Sequence, residues 1–234
     1  MIPARYAATR FPAKLMKMLG DKTVIRHTYD ATVQTGLFRD VIVVTDSDII
    51  YNEIVTHGGK AIMSKQPHES GSDRIAEAVA DMGVDVIINV QGDEPFIQKE
   101  PLEKLVQLFN DPAVKVGSLM RKIETKEELE APSCVKVVVN SKNDSLYFSR
   151  SVIPYVADAS VSINHYLHIG VYGFRKEILL AFTKWPAAVL EKVEKLEQLR
   201  YLENGITIRM ALVDFKSVAI DTPEDLARAA TLLK

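Results

Sequence analysis

The chain has 234 residues, of which 47% are hydrophobic and 26% are charged, the balance of an ordinary globular protein. This length suits one large α/β domain or two small ones. A formal net charge of −2 argues against a nucleic-acid partner, and no apolar run approaches the roughly 20 residues of a membrane-spanning helix. Because the only cysteine, Cys134, cannot form an internal disulfide, we expect a cytoplasmic protein without membrane insertion.

A loop bracketed by Pro3 and Pro12 opens the chain. Its small residues allow a close backbone approach to a ligand, and its cations Arg5, Arg10 and Lys14 can neutralise a polyphosphate. A solvated basic loop is an equally good interpretation of this stretch taken alone. The spacing of its residues matches neither a Walker A loop nor a dinucleotide-binding turn.

Apolar strands and amphipathic helices alternate over the next hundred residues. Residues 40–46, 60–64 and 86–90 are predicted strands. Helices are predicted from Thr23 to Thr35, after Ser47, and after Ser70. This alternation predicts βαβ units with a parallel sheet. Beyond the sheet we predict a helix of about residues 100–110.

Two carboxylates follow predicted strands. Asp93 comes just after the strand at 86–90, in the position where open α/β sheets bind ligands, although a plain polar turn would also explain it. Asp221 stands at the exit of a predicted strand over 217–221, before a helix that begins at Thr222 and Pro223. Mg²⁺ takes one or two protein carboxylates and completes its shell with phosphates and waters. The pair therefore predicts a magnesium site.

The middle of the chain departs from the alternating pattern. β-rich segments at 114–120, 135–139, 146–150 and 166–174 predict a mixed or antiparallel extension of the sheet. Leucine or valine recurs at every third position from Leu190, which predicts one helix from Leu190 to Asn204, supported by a Glu191–Lys195 pair.

Seven segments together resemble the family of 3-deoxy-manno-octulosonate (Kdo) cytidylyltransferases over essentially the whole chain. Each motif is weak alone, but the ordered set is specific. The segments are Ile2-Pro3-Ala4-Arg5-Tyr6 with Thr9-Arg10, Pro12 and Lys14; Ser70-Gly71-Ser72-Asp73-Arg74; Asn89-Val90-Gln91-Gly92-Asp93-Glu94-Pro95; Leu146-Tyr147-Phe148-Ser149-Arg150; His168-x-Gly170-x-Tyr172-Gly173; Leu196-Glu197-Gln198-Leu199-Arg200; and Asp221-Thr222-Pro223-Glu224-Asp225.

The resemblance implies an α/β fold: a Rossmann-like three-layer sandwich of the nucleotide-diphospho-sugar transferase type, mostly parallel with a mixed extension, working as a homodimer. It implies one domain over 1–234, with a nucleotide-binding part at about 1–112 and 206–234 and a sugar-binding and dimerisation part at about 113–205. Only Met1 precedes Ile2, so we expect the family's first strand to be trimmed or nearly absent.

The resemblance also implies the reaction, which transfers CMP from CTP to Kdo with release of diphosphate, for lipopolysaccharide biosynthesis. Alternatives are another keto-acid sugar such as a sialic acid, or CTP binding without catalysis. Arg5, Lys14, Asp93 and Asp221 are the implied catalytic residues, and Asp93 and Asp221 would bind Mg²⁺. The implied nucleotide contacts are Pro3, Ala4, Arg5, Arg10, Lys14, Gly71, Ser72, Arg74 and Asp93. The implied sugar contacts are Arg74, Gln91, Arg150, His168, Tyr172, Glu197 and Gln198.

Overall fold

A computed structural model describes residues 1–7, 11–68, 70–216 and 218–233. The chain forms two compact units, one of Met1–Leu102 with Ser217–Lys234 and one of Glu103–Lys216. The family resemblance predicted a nucleotide-binding part at about 1–112 and 206–234, whereas the second compact unit contains the strand Ile208–Leu212. Within the described residues, no helix is both long and apolar enough to span a bilayer.

Three short strands open the chain, and strands and helices alternate from Lys22 to Gln107. In chain order they are β1 (Ile2–Ala4), β2 (Met18–Leu19), β3 (Lys22–Thr23), α1 (Val24–Gln34), β4 (Val43–Thr45), α2 (Asp48–Thr56), β5 (Ala61–Met63), α3 (Gly71–Val79), β6 (Val86–Asn89), α4 (Lys99–Gln107), β7 (Val116–Lys122), α5 (Lys126–Glu130), β8 (Lys136–Val139), β9 (Ser145–Ser149), β10 (Tyr166–Arg175), α6 (Lys176–Phe182), α7 (Val189–Glu194), α8 (Leu199–Glu203), β11 (Ile208–Leu212) and α9 (Pro223–Ala230).

The first unit is built on a parallel sheet in the order β1-β4-β5, in which Pro3 lies opposite Val44. The exit of β6 lies beside the start of β1, since Val90 N donates to Met1 O at 3.1 Å. Ile2, Val43 and Val44 are fully buried. Apolar side chains on both faces explain why these strands appear in the sequence as continuous apolar runs.

Side-chain caps begin the helices of this unit where the sequence predicted them. The hydroxyls of Thr23, Ser47, Ser70 and Thr222 each accept from a backbone N–H one turn on. These bonds satisfy amides that a helix leaves without intrahelical partners. They also fix the point at which each loop ends, so residues just before a cap are held in place.

The second unit contains a mixed sheet in the order β11-β7-β10-β8-β9. β11 pairs with β7 in parallel, whereas β7, β10, β8 and β9 pair antiparallel. The predicted α/β class, with parallel strands and a mixed extension, is therefore confirmed. Helix α6, which directly follows β10, was not predicted from the sequence.

The predicted helix from Leu190 to Asn204 is wrong as a single element. Two short helices, α7 and α8, replace it, and Lys195 ends α7 with left-handed backbone angles (φ 56°, ψ 45°). The predicted Glu191–Lys195 pair is wrong as well, because Glu191 instead forms a two-pronged ion pair with Arg200, at 2.5 and 2.8 Å. These tertiary contacts outweigh the helical periodicity.

Two further predictions about strands need correction. Ile2–Ala4 forms β1, so the first strand is short but present and the opening loop begins only after it. The segment 218–221 is not a strand. It is instead tied to the loop after β6, because Ile220 N donates to Asp93 O at 3.0 Å.

Candidate active site

A cleft of about 310 Å³ lies in the first unit. Its walls come from the end of β1, the loop after it, the start of α3, the loop after β6 and the residue before the α9 cap. It brings together most of the site residues predicted for this unit, namely Pro3, Ala4, Arg5, Lys14, Gly71, Arg74, Gln91, Asp93 and Asp221. The carboxyl ends of β1 and β6 meet here, and for Asp93, which follows β6, the sequence predicted this position.

Lys14 joins the two predicted metal ligands. Its ammonium donates to Asp93 Oδ2 and, at 2.8 Å, to Asp221 Oδ1. Burial disfavours the charged amine, but the charge of Asp93 and the hydrogen bonds to both carboxylates outweigh burial and raise the pKa of Lys14. The amine is therefore a permanent cation at neutral pH, and the two carboxylates converge on one point of the cleft.

The carboxylate pair fits the needs of magnesium. Among the residues that the structure describes, no group of three or more His, Cys, Asp or Glu side chains could hold a metal ion. Two converging carboxylate oxygens are nevertheless the protein share that Mg²⁺ takes when phosphates and waters supply the other ligands. The donor set of Asp93 and Asp221 is thus suited to a cation that shares its shell with a bound polyphosphate.

Two glycines let backbone form the cleft wall. A Cβ on Gly71 would lie 3.0 Å from Cγ of Pro3, and one on Gly92 would lie 3.2 Å from the Pro3 carbonyl oxygen. Both contacts are tighter than ordinary van der Waals packing, so any larger residue would push the walls apart. Thr28 donates to Gly92 O at 2.9 Å and holds that turn in place.

Arg74 is an anchored cation in the wall of the cleft. The residue is 3% exposed and donates to Asp46 Oδ2 at 2.7 Å and Ser64 Oγ at 3.2 Å. Burial works against the ionised Asp46, but the hydrogen bond and charge of Arg74 outweigh burial and lower the pKa of that carboxyl. The ion pair fixes the direction of Arg74 before any ligand binds.

The other residues of this unit that we predicted as ligand contacts differ in their exposure and in their hydrogen bonds. Arg5 is exposed, and Gln91 Nε2 donates to Asn89 Oδ1 at 3.2 Å. Ser72 is 4% exposed, inside the first turn of α3, and is absent from the lining of this cleft as far as the structure describes it. Arg10 lies outside the described residues.

The cleft also contains residues that the sequence analysis missed. They are Phe11, Leu15, His68, Ser70 and Gly92, of which Ser70 was considered only as a helix cap. Phe11 and Leu15 have no polar signature, so a pattern search cannot separate them from core residues. His68 precedes the Ser70-Gly71 segment by two residues, and this proximity was the available signal.

Two of the predicted sugar contacts, His168 and Tyr172, lie on β10 in the second unit. The His168 ring lies between the rings of Phe148 and Tyr172, with centroids 5.2 and 5.3 Å away. Burial lowers the pKa of His168 to about 3, so the ring is neutral at pH 7. Its Nε2 lies 3.0 Å from Ser118 Oγ, whose own hydrogen is directed at backbone carbonyl oxygens, so Nε2 is the donor.

The remaining predicted sugar contacts lie directly after β9 and in the turn between α7 and α8. Burial and, after it, the negative charge of Glu197 raise the pKa of Tyr172. Gln198 is 5% exposed. Arg150 donates from Nε to Glu194 O at 2.8 Å and from Nη2 to Lys195 O at 3.3 Å, so it also holds the turn that carries Glu197 and Gln198.

Comparison with known proteins agrees with this geometry. A family model described as cytidylyltransferase matches residues 1–208. The 3-deoxy-manno-octulosonate cytidylyltransferase of Flavobacterium johnsoniae is 56% identical over 237 residues, covering 100% of this chain and 97% of that protein. The protein of the same name from Christiangramia forsetii is 51% identical, covering 100% of this chain and 95% of the relative.

A solved structure has the same fold throughout. The structure of CMP:2-keto-3-deoxy-manno-octonic acid synthetase complexed with CTP superposes with a TM-score of 0.94 at 39% identity, covering 99% of this chain and 96% of that one. Fold, cleft and family match define a nucleotidyltransferase of the cytidylyltransferase class. Within that class, the chain belongs to the 3-deoxy-manno-octulosonate cytidylyltransferase family.

Proposed function

We propose that the protein transfers CMP from CTP to Kdo, giving CMP-Kdo and diphosphate, and so activates Kdo for lipopolysaccharide biosynthesis in the cytoplasm. The observation that carries this proposal is the convergence of Lys14, Asp93 and Asp221 in one cleft. A polyphosphate and its cation need opposite charges side by side, and this cleft provides them. The choice of Kdo is supported by the names of relatives at 51–56% identity.

The nucleotide is proposed to lie along the cleft of the first unit. Arg5, Arg10 and Lys14 would neutralise its phosphates, and the ribose and base would lie against the wall made by Pro3, Ala4, Gly71, Ser72 and Arg74. The close approach of Gly71 to Pro3 supports a flat wall of this kind. The anchored Arg74 guanidinium would meet the nucleotide or the sugar without reorganisation.

The sugar is proposed to be held by Arg74, Gln91, Arg150, His168, Tyr172, Glu197 and Gln198. Since His168 is neutral, it would act on the sugar as a hydrogen-bonding group and not as a charge. Its donor Nε2 faces Ser118, which leaves Nδ1 as the ring atom able to accept from a sugar hydroxyl.

The reaction is proposed to be an in-line displacement. The anomeric hydroxyl oxygen of Kdo forms a bond to the α-phosphorus, the bond from that phosphorus to the bridging oxygen breaks, and diphosphate leaves while the hydroxyl proton passes to solvent. Asp93 and Asp221 would hold Mg²⁺, which when bound supplies charge neutralisation at the α-phosphate and favours ionisation of the hydroxyl. Arg5 and Lys14 would neutralise the departing diphosphate. Positioning and charge therefore provide the catalysis.

Product analysis tests this proposal. The protein is incubated with CTP, Mg²⁺ and Kdo, and the products are separated and identified by mass spectrometry. We expect CMP-Kdo and diphosphate in equal amounts, and neither product when Kdo or CTP is left out. Binding of CTP without formation of CMP-Kdo would refute the proposed transfer and favour a CTP-binding protein.

We further propose a homodimer. The segment 151–165 of the second unit presents several exposed apolar side chains, of which Tyr155 is 88% and Val161 60% exposed. Exposed apolar clusters of this kind mark association surfaces in water. A second copy of the chain is the occupant that fits the homodimer implied by the family resemblance.

A further inference from the structure

His68 is a cleft residue to which the proposed function assigns no role. It lies between β5 and α3, and its side chain is 7% exposed while lining the cleft. A histidine this well buried in the wall of a ligand cleft is held for packing or for contact with the ligand. The hydrogen bonds of the ring distinguish these roles.

Glu77 fixes the imidazole from the adjoining helix α3. The Nε2 of His68 lies 2.7 Å from Oε2 of Glu77, and the same carboxylate accepts from Lys65 N at 3.1 and 3.2 Å. Burial opposes ionisation of Glu77, but the bonds from His68 and Lys65 outweigh burial and lower the pKa of its carboxyl. An ionised carboxylate can only accept, so Nε2 carries the hydrogen. In the neutral ring Nδ1 is then an acceptor.

The position of His68 indicates which part of the nucleotide it would meet. It precedes Ser70 by two residues and Gly71 by three, and Gly71 packs directly on Pro3. This is the wall proposed to hold the nucleoside. An acceptor on that wall suits a donor of the nucleoside, which is either the exocyclic amino group of cytosine or a ribose hydroxyl.

We propose that His68 is a nucleoside-binding residue whose Nδ1 accepts a hydrogen bond from a donor group of CTP, and that Glu77 is the positioning residue that orients it. This inference deepens the proposed function and rests on CTP being the nucleotide of the cleft. The competing explanation is purely structural: the His68–Glu77 bond attaches the loop at residues 65–68 to α3.

Two isosteric substitutions separate these explanations. The amide of glutamine can reach the position of Nε2, whereas the amide of asparagine reaches that of Nδ1. Nucleoside binding predicts that His68→Gln raises the Kd of CTP about tenfold, the effect of one lost hydrogen bond, while His68→Asn stays within about threefold of wild type. A structural role predicts the reverse order. Glu77→Gln should raise the Kd about threefold, because the ring loses its fixed orientation.

The experiment is isothermal titration calorimetry with CTP, UTP and 2′-deoxycytidine triphosphate, without Kdo. If the donor is the cytosine amino group, the His68→Gln penalty disappears with UTP, which has a carbonyl there. If the donor is the 2′-hydroxyl, the penalty disappears with the deoxynucleotide. An equal penalty for all three nucleotides assigns the contact to the ribose 3′-hydroxyl, which all three carry, whereas no penalty for CTP would overturn the inference. Thermal denaturation of each variant checks folding.

The chain offers a matched control in the same unit. His57 directly follows α2 and lies near Glu53, with 3.9 Å between Nδ1 and Oε2, and the His57 side chain is 40% exposed. His57→Gln should leave the Kd of CTP unchanged. Failure of the wild-type protein to bind CTP would count against the proposed function itself, whereas normal CTP binding by both wild type and His68→Gln would count against the inference alone.

Discussion

At the scale of single residues, the arrangement of Lys14 between Asp93 and Asp221 explains why the motifs were informative. Each residue lies in a different segment, 79 and 207 positions from Lys14. A polar turn after a strand has little meaning alone, but Asp93 lies in the turn after β6 and Asp221 directly precedes the cap of α9, and sequence patterns mark both positions. The sequence could therefore indicate the carboxylate pair. The hydrogen bonds from Lys14 to these two carboxylates could be identified only from the structure.

Asp93→Asn should lower turnover by about 10²-fold or more, since it removes one electrostatic stabiliser while preserving side-chain shape. Diphosphate release measures the effect. Asp85→Asn is the matched control, because Asp85 is exposed just before the amino end of β6, and it should behave as wild type. Near-normal turnover of Asp93→Asn would refute the proposed metal role.

His168 should make stability fall as the pH drops below 6.5. The unfolded histidine binds a proton near pH 6.5, whereas the folded one resists protonation until about pH 3, so acid favours the unfolded state between these values. One titrating group can change the free energy of unfolding by at most about 1.4 kcal/mol per pH unit. Because His168 is only partly buried, we expect about 1 kcal/mol between pH 6.5 and 5.

Urea denaturation at pH 6.5 and 5 tests this linkage. His168→Gln retains a donor near Ser118 but does not titrate, so it should lose about 1 kcal/mol less unfolding free energy than wild type over the same interval. Equal losses in the two proteins would show that His168 does not contribute to the acid sensitivity.

At the scale of elements, local chemistry decided what could be predicted. Hydroxyl caps at Thr23, Ser47 and Ser70 mark real helix starts because a cap is satisfied within one turn. The break between α7 and α8 has no such local mark. It depends on the Glu191–Arg200 ion pair, whose partners lie 9 positions apart, and on hydrogen bonds from Arg150 to carbonyl oxygens 44 and 45 positions away.

Lys195→Gly should stabilise the protein by about 0.5 kcal/mol. Left-handed angles cost an ordinary residue about 1 kcal/mol or more, while glycine adds about 0.5–1 kcal/mol of chain entropy to lose. Lys192→Gly, in the interior of α7, lacks this benefit and should destabilise by a similar amount. Thermal denaturation compares them. An equal loss of stability in both variants would contradict the assigned strain.

At the scale of the whole molecule, the family resemblance predicted more than the composition and the alternation of strands and helices did. Composition and alternation of elements were sufficient for the α/β class. They could not indicate where the compact units divide, because α4 runs across the boundary near residue 102 and strand β11 returns to the sheet of the second unit. The sugar contacts rest on motif resemblance, since a buried histidine or glutamine has no signature of its ligand.

The proposed homodimer predicts a solution mass of twice that of one chain, measured by light scattering after size-exclusion chromatography. Replacing Tyr155 and Val161 with serine should shift the mass towards the monomer, because it removes exposed apolar area. Leu232→Ser, which alters an exposed apolar residue of the first unit, should leave the mass unchanged. A monomeric wild type would refute the dimer.

The rate of diphosphate release from CTP with different acceptors tests the central claim most directly. The protein is supplied with CTP and Mg²⁺ and with Kdo, a sialic acid or no sugar, and kcat/KM is determined for each acceptor. We predict rapid release with Kdo and little or none with the sialic acid or without sugar. Faster release with the sialic acid, or no release with either acid, would contradict the assignment.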